Sequence, residues 1–233
     1  MPCRARLAAF LLLLPLPALA ASLTVAPTRV EFAGDDRAEV VTLRNNAADP
    51  VMVQVQTFAW ENGPGSAELA ATRDLLAVPP VFELPAAGSQ IIRVALRGAA
   101  TSDVERAYRL LITEVPRGGG GGTGVRFALR LSLPVFVTPP GAAPLPAWSI
   151  RGAGDQRELV LRNDGTAHLQ VRRIVLAGGG VGAAPRTIET PAYVLAGQEQ
   201  RWPLPATTGA RELQLQAETS IGPLSANVAL PRE

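Results

Sequence analysis

The sequence contains no lysine: all 22 of its basic residues are arginines, set against 20 aspartates and glutamates. It has one histidine, His168, and one cysteine, Cys3. Each scarcity closes a route to function. Zinc centres assembled from His and Cys need three or four such ligands and are excluded by count. A catalytic triad would have to use His168, and no Gly-x-Ser-x-Gly elbow accompanies it. A single histidine just past the turn Asn163-Asp164-Gly165 reads as structural or solvated. The glycine run at 118–122 lacks the Lys and Ser/Thr that hold phosphate and metal in a nucleotide loop. Asp35 and Asp36 fit a β-turn. Aromatics make up 5% of the chain, and Trp60, Trp148 and Trp202 fall in three separate segments, which offers no stacking platform for a sugar. No enzymatic activity, metal or cofactor is expected.

Residues 1–20 read as a secretory signal peptide. Arg4 and Arg6 form a positive start, residues 7–18 an apolar run, and Ala18-Leu19-Ala20 a small-residue cleavage pattern. The run is too short for a comfortable membrane span, so none is expected once it is removed. Cleavage near Ala20 or Ala21 takes away Cys3 and two arginines. The mature chain then has no cysteine, and its arginines and acids are equal in number. That describes an exported protein that does not use disulfides. Its balanced charge makes no case for nucleic acid or for an acidic membrane surface.

What is present is apolar residues (47%), 22 glycines and 21 prolines, a composition of turns rather than long helices. From Ser22 the chain reads as short strands: 23–25, 29–32, 39–43, 51–58, 82–84, 90–96 and 108–115, each closed by Gly, Pro, Asn or Asp. Seven or so such strands predict an immunoglobulin-like sandwich over 22–138. Residues 139–147 (PPGAAPLPA) read as a Pro-rich, semi-rigid linker. Strand signals resume at 158–161, 169–176, 193–195, 212–217 and 225–230, predicting a second, smaller sandwich over 148–233. The fold class is therefore all-β with two sandwich domains.

The strongest strand signal is residues 125–137, VRFALRLSLPVFV, in which Val125, Phe127, Leu129, Leu131, Leu133, Val135 and Val137 put every odd side chain on one apolar face. At roughly 3.3 Å per residue a strand of that length spans about 43 Å, against a usual strand of about 5–6 residues. A domain of this size does not cover it all, so Val125, Phe127 and Leu129 are expected to overhang. Arg126 and Arg130 are expected on the solvated face, where charge keeps an exposed edge from aggregating.

In order along the chain, several segments resemble the periplasmic chaperones of the chaperone–usher pilus pathway. Pro27-Thr28-Arg29-Val30 is similar to the family's first strand. Val78-Pro79-Pro80, Leu84-Pro85, Gly88 and residues 90–94 are similar to its proline–glycine–arginine block, and residues 108–116 (YRLLITEVP) to its sixth strand. Phe136-Val137-Thr138-Pro139, Asn163-Asp164-Gly165-Thr166-Ala167-His168 and residues 193–197 extend the likeness into the second half. The resemblance implies two immunoglobulin-like domains in an L-shaped arrangement with an inter-domain cleft. It implies a function in the periplasm, with pilin or fimbrial subunits and an outer-membrane usher as partners. The mechanism it implies is donor-strand complementation, in which the chaperone's seventh strand fills the groove of an incomplete subunit. Val125, Phe127, Leu129 and Leu131 would enter that groove. Three such side chains contribute roughly 5–9 kcal/mol before ordering costs. An exported structural or adhesive immunoglobulin-like protein of a surface appendage is the rival reading.

The family's best-known members grip the subunit's C-terminal carboxylate with two basic residues. The first aligns with Arg29; the second, a lysine, falls on Pro134. Together with the absence of disulfides, this resembles the archaic branch, which serves spore-coat-protein-U-like pilins. If Val115 pairs near Arg126 across the glycine loop, antiparallel register sets Arg109 near Ser132, beside the vacated position. A guanidinium there suits a carboxylate. The alternatives are ion pairs: Arg109 with Glu105, and Arg29 with Glu31 or Asp36.

Overall fold

The computed structural model describes residues 23–34, 36–63, 66–98, 102–116, 128–178, 184–189, 191–204 and 211–231. Strands that are apolar at every second position must bury that face against another sheet. In the first half, one sheet runs β1 (Leu23–Ala26), β3 (Ala38–Asn45), β8 (Ser89–Leu96), β6 (Leu75–Val78). The other runs β2 (Val30–Ala33), β10 (Arg130–Thr138), β9 (Arg106–Val115), β4 (Val51–Gly63), β5 (Ser66–Ala71), with β7 (Val81–Leu84) also on β4. Their inner faces meet in a core that includes the fully buried Phe32, Leu43, Leu84, Ile92, Leu110 and Ile112.

The second half repeats the scheme on a smaller scale. β11 (Pro146–Arg151), β12 (Glu158–Asn163) and β16 (Glu199–Pro203) form one sheet. β14 (Arg186–Ile188), β13 (Leu169–Ala177), β17 (Glu212–Thr219) and β18 (Gly222–Ala229) form the other, with β15 (Ala192–Val194) on β13. Leu159, Leu161, Leu169, Ile174 and Leu215 fill the space between them. The all-β, two-sandwich class expected from the strand pattern is the one found. Among the described residues no helix is long and apolar enough to cross a membrane.

Each sandwich turns one corner on a fully buried asparagine. Asn45 donates from Nδ2 to the carbonyls of Asp49 (2.8 Å) and Pro85 (3.0 Å), and its Oδ1 accepts from the Ala47 N–H. Asn163 donates to Ala167 (2.7 Å) and Val194 (3.0 Å) and accepts from Leu145 N–H (2.9 Å) and Gly165 N–H (3.1 Å). The second corner also ties the inter-domain segment to the second sandwich. Thr166 N–H donates to Ala143 C=O at 2.8 Å, and a Cβ at Gly165 would sit 2.3 Å from that same oxygen, so only glycine permits the approach. Buried carbonyls stripped of a donor cost about 1–3 kcal/mol. Asn45→Ala should therefore lower unfolding stability by about 1–3 kcal/mol in urea titration. Asn227→Ala, on the exposed side of β18, should stay within about 0.5 kcal/mol.

Candidate functional site

β10 differs from the thirteen-residue strand expected from alternation: it has nine residues and begins at Arg130. Val125, Arg126 and Phe127 lie outside the described residues. Leu129 precedes the strand, yet Glu114 N–H donates to its carbonyl at 2.8 Å. Held there, Leu129 does not stand free as expected; with Leu131 it is half-buried and packs on the rim of the first core. Further along, Leu133, Val135 and Val137 face that core while Pro134 and Phe136 are buried on the opposite face. Alternation ends where the second domain covers the outer face of the sheet. Arg130 is exposed, as expected.

The two edges of β10 are unequal. β9 pairs with it from Arg130 to Val137, whereas β2 pairs with it, in parallel, only from Val135 to Thr138. Over 130–134 no strand among the described residues lies on the β2 side. Leu129 and Glu114 form a hydrogen-bonded pair, so by antiparallel alternation the odd residues of β10 bond to β9. Arg130 and Ser132 turn their N–H and C=O groups to the open side. Pro134 stands where β2 begins, and the donor it lacks would have faced away from β9.

The two candidate arginines flank Pro134. Arg109 is its cross-strand partner on β9, not the partner of Ser132 as the expected hairpin register had it. The register differs by two residues because the Glu114–Leu129 bond closes the ladder there and leaves a longer connection. On the other side, Arg29 immediately precedes Val30, which pairs with Val135. Arg29 lines a cavity of about 370 Å³ with Pro27, Thr28 and Glu31 of the first domain and Gln170 and Tyr193 of the second. Its Nε also lies 2.8 Å from Glu31 Oε1, so one of the expected local ion pairs is present.

Arg109 makes no such pair. Its guanidinium carbon lies 3.6 Å from the centroid of the Trp60 ring and 5.9 Å from that of Tyr193. Among the described residues no carboxylate pairs with it. Burial lowers its pKa from the ordinary guanidinium value, and the neighbouring Tyr193 opposes that shift. An arginine held by ring faces keeps its in-plane N–H donors available.

Glu105, the other partner considered for Arg109, is committed elsewhere. Its carboxylate is 2% exposed and accepts from His168 N–H (2.9 Å) and Thr138 Oγ1 (2.7 Å), with His168 Nδ1 at 2.8 Å. Its own N–H donates across the junction to Thr166 C=O at 2.8 Å. His168 in turn stacks on Phe136, with ring centroids 3.6 Å apart and planes 9° from parallel. Tyr193 and Trp60 complete the cluster at 5.7 Å and 6.1 Å from Phe136. His168 is thus structural, joining the two sandwiches.

Residues 22–143, more than half the chain, match the family model of the pili and flagellar-assembly chaperones, PapD N-terminal domain. The chain is a PapD-family chaperone. The fold agrees with solved chaperones of that family. The chaperone–tip adhesion subunit complex CsuC–CsuE from archaic Csu pili of Acinetobacter baumannii matches with a TM-score of 0.70 at 21% identity, over 89% of this chain and 98% of that one. The Salmonella enterica SafB chaperone in complex with SafA pilin gives 0.64 at 17% identity, over 92% and 99%. The Pseudomonas aeruginosa CupB2 chaperone gives 0.58 at 17% identity, over 89% and 100%. No curated protein gives a significant match.

In this PapD-family chain the junction residues Glu105, Phe136, His168 and Tyr193 come from four segments that no local motif links. Trp148 and Trp202 likewise meet only in the fold, stacked 6.0 Å apart inside the second sandwich. A charge-assisted hydrogen bond lost from a buried site costs about 1.5–3 kcal/mol. Glu105→Ala should cost about that much in urea unfolding and shift Trp60 emission as the junction loosens. Glu105→Gln should recover part of the loss, since its oxygen still accepts. An unchanged midpoint for Glu105→Ala would show that the pair does not hold the domains together.

Proposed function

We propose that this chaperone binds pilin or fimbrial subunits in the periplasm by donor-strand complementation and delivers them to an outer-membrane usher. The observation that carries the reading is the open edge of β10 over 130–134. A strand already fixed by β9, with N–H and C=O groups at Arg130 and Ser132 that no other described strand pairs, is a template onto which a partner strand adds. Main-chain pairing is indifferent to sequence and suits a chaperone with several clients. In the sequence the alternation runs upstream through Leu131, Leu129, Phe127 and Val125, and these side chains are assigned to the subunit's groove, Leu131 and Leu129 by the part of their surface that the first core leaves uncovered. The leader read in residues 1–20 supports export. Proline in place of the usual lysine, and the likeness to the archaic Csu chaperone complex, favour a client of the archaic, spore-coat-protein-U-like class.

Arg29 and Arg109 receive the subunit's C-terminal carboxylate. They approach Pro134 from both neighbouring strands, next to a cavity walled by both domains. Two arginines thus replace the arginine–lysine pair of the better-known members. The test is co-expression with a small secreted pilin subunit of the spore-coat-protein-U-like class. Wild type should recover a one-to-one complex from the periplasm, and the subunit should be degraded without it. A charge-assisted contact that the seated subunit closes off from water is worth about 1.5–3 kcal/mol, whereas a rim arginine contributes about 0–1. Arg29→Ala should therefore weaken capture by roughly ten- to hundredfold, and Arg130→Ala by less than about fivefold. Subunits that accumulate equally well and soluble without the chaperone would remove the proposal.

A further inference from the structure

We infer that Glu31 is a built-in competitor for the subunit's carboxylate, occupying Arg29 in the empty chaperone and weakening the anchor enough for the client to leave. The inference rests on the reading that Arg29 receives that carboxylate.

The two flanking arginines are in different states. Arg109 lies on Trp60 with no carboxylate partner among the described residues, whereas Arg29 already holds Glu31 at 2.8 Å. Glu31 lines the same cavity as Arg29, Gln170 and Tyr193, so a carboxylate seated against Arg29 comes to rest beside another. Its backbone cannot carry it away, because Glu31 pairs with Phe136 in the β2–β10 ladder, and Phe136 is fully buried at the domain junction. The incoming group must share the guanidinium with Glu31 or displace it, and repulsion between the two acids opposes either. Without Glu31 the local formal charge of the three side chains would be +2; with it, +1, which a single carboxylate neutralises.

The magnitude is bounded by exposure. The Arg29 and Glu31 side chains are 36% and 50% exposed, and pairs so open to water are worth only a small factor in affinity. Removing the competitor should therefore tighten binding two- to fivefold, and the gain should shrink as salt screens it. An anchor trimmed in this way suits a protein that must release what it captures.

The probe is a ten-residue peptide of alternating threonine and valine, labelled with fluorescein at its N-terminus. It is made with a free C-terminal carboxylate and as the C-terminal amide. Binding is read by anisotropy against the full mature chain. Glu31→Gln keeps an acceptor for Arg29 and loses the charge. It should bind the acid peptide two- to fivefold more tightly than wild type, bind the amide no better, and give no gain when Arg29→Gln is also present. If wild type prefers the acid to the amide but Glu31→Gln binds the acid equally or more weakly, the anchor stands and the competitor is overturned. Glu31 would then be a support that orients Arg29. If wild type treats acid and amide alike, including binding neither, the carboxylate anchor fails and the competitor fails with it.

Discussion

Burial of β10 on both faces from Pro134 to Val137 is the constraint on which the rest of the molecule depends. On one side Val135 and Val137 close the first sandwich; on the other Phe136 lies under His168 of the second domain. A strand pinned from both faces at one end, and laddered to β9 along its length, cannot swing to hide its other end. The pairing with β2 stops at Val135, and the upstream backbone is left facing outward. Natural sheets usually blunt such an edge. Here, among the described residues of this stretch, the blunting is limited to exposed Arg130 and Ser132.

The same pinning sets the cleft. The Glu105 side chain is almost completely buried, and a buried carboxylate persists only when its oxygens are satisfied. Two of its contacts come from His168, across the junction, and one from Thr138 at the end of β10. Hydrogen bonds of defined direction fix the domains more closely than apolar packing alone. With that orientation Tyr193 meets both the cavity beside Arg29 and the ring cluster that holds Arg109. The two arginines therefore share a wall although they come from different strands.

Much of this was legible in the sequence, for physical reasons that differ between elements. β3, β8, β13 and β17 announce themselves because one face is buried and the other wet, which writes a period of two, whereas β9 and β12, buried on both faces over 110–112 and 159–161, show as unbroken apolar runs. β5 does not: Ser66–Ala71 reads SAELAA, without the β-branched residues that mark strands, and becomes one only through its pairing with β4. The start of β10 is not marked in the sequence, because alternation continues upstream of Arg130 whatever the pairing. Arg29 and Arg109 were both legible as cleft residues, one by motif and one by hairpin register. That register was two residues off, since loop length decides it and composition does not. What the sequence does not show is that Glu105, Phe136, His168 and Tyr193 meet, because hydrogen-bonded and stacked contacts between domains leave no periodic trace.

The proposed completion of the open β10 edge by a strand from the client is read out by amide hydrogen exchange, residue by residue, on the chaperone alone and bound to a pilin subunit. The N–H groups of Arg130 and Ser132 point to the open side and should exchange freely in the empty protein. On binding they should become protected by factors typical of sheet amides, while Leu131 and Leu133, already bonded to β9, change little. Fast exchange at Arg130 and Ser132 that persists in a stable complex would mean that the client does not pair with this edge, and donor-strand complementation by β10 would be contradicted.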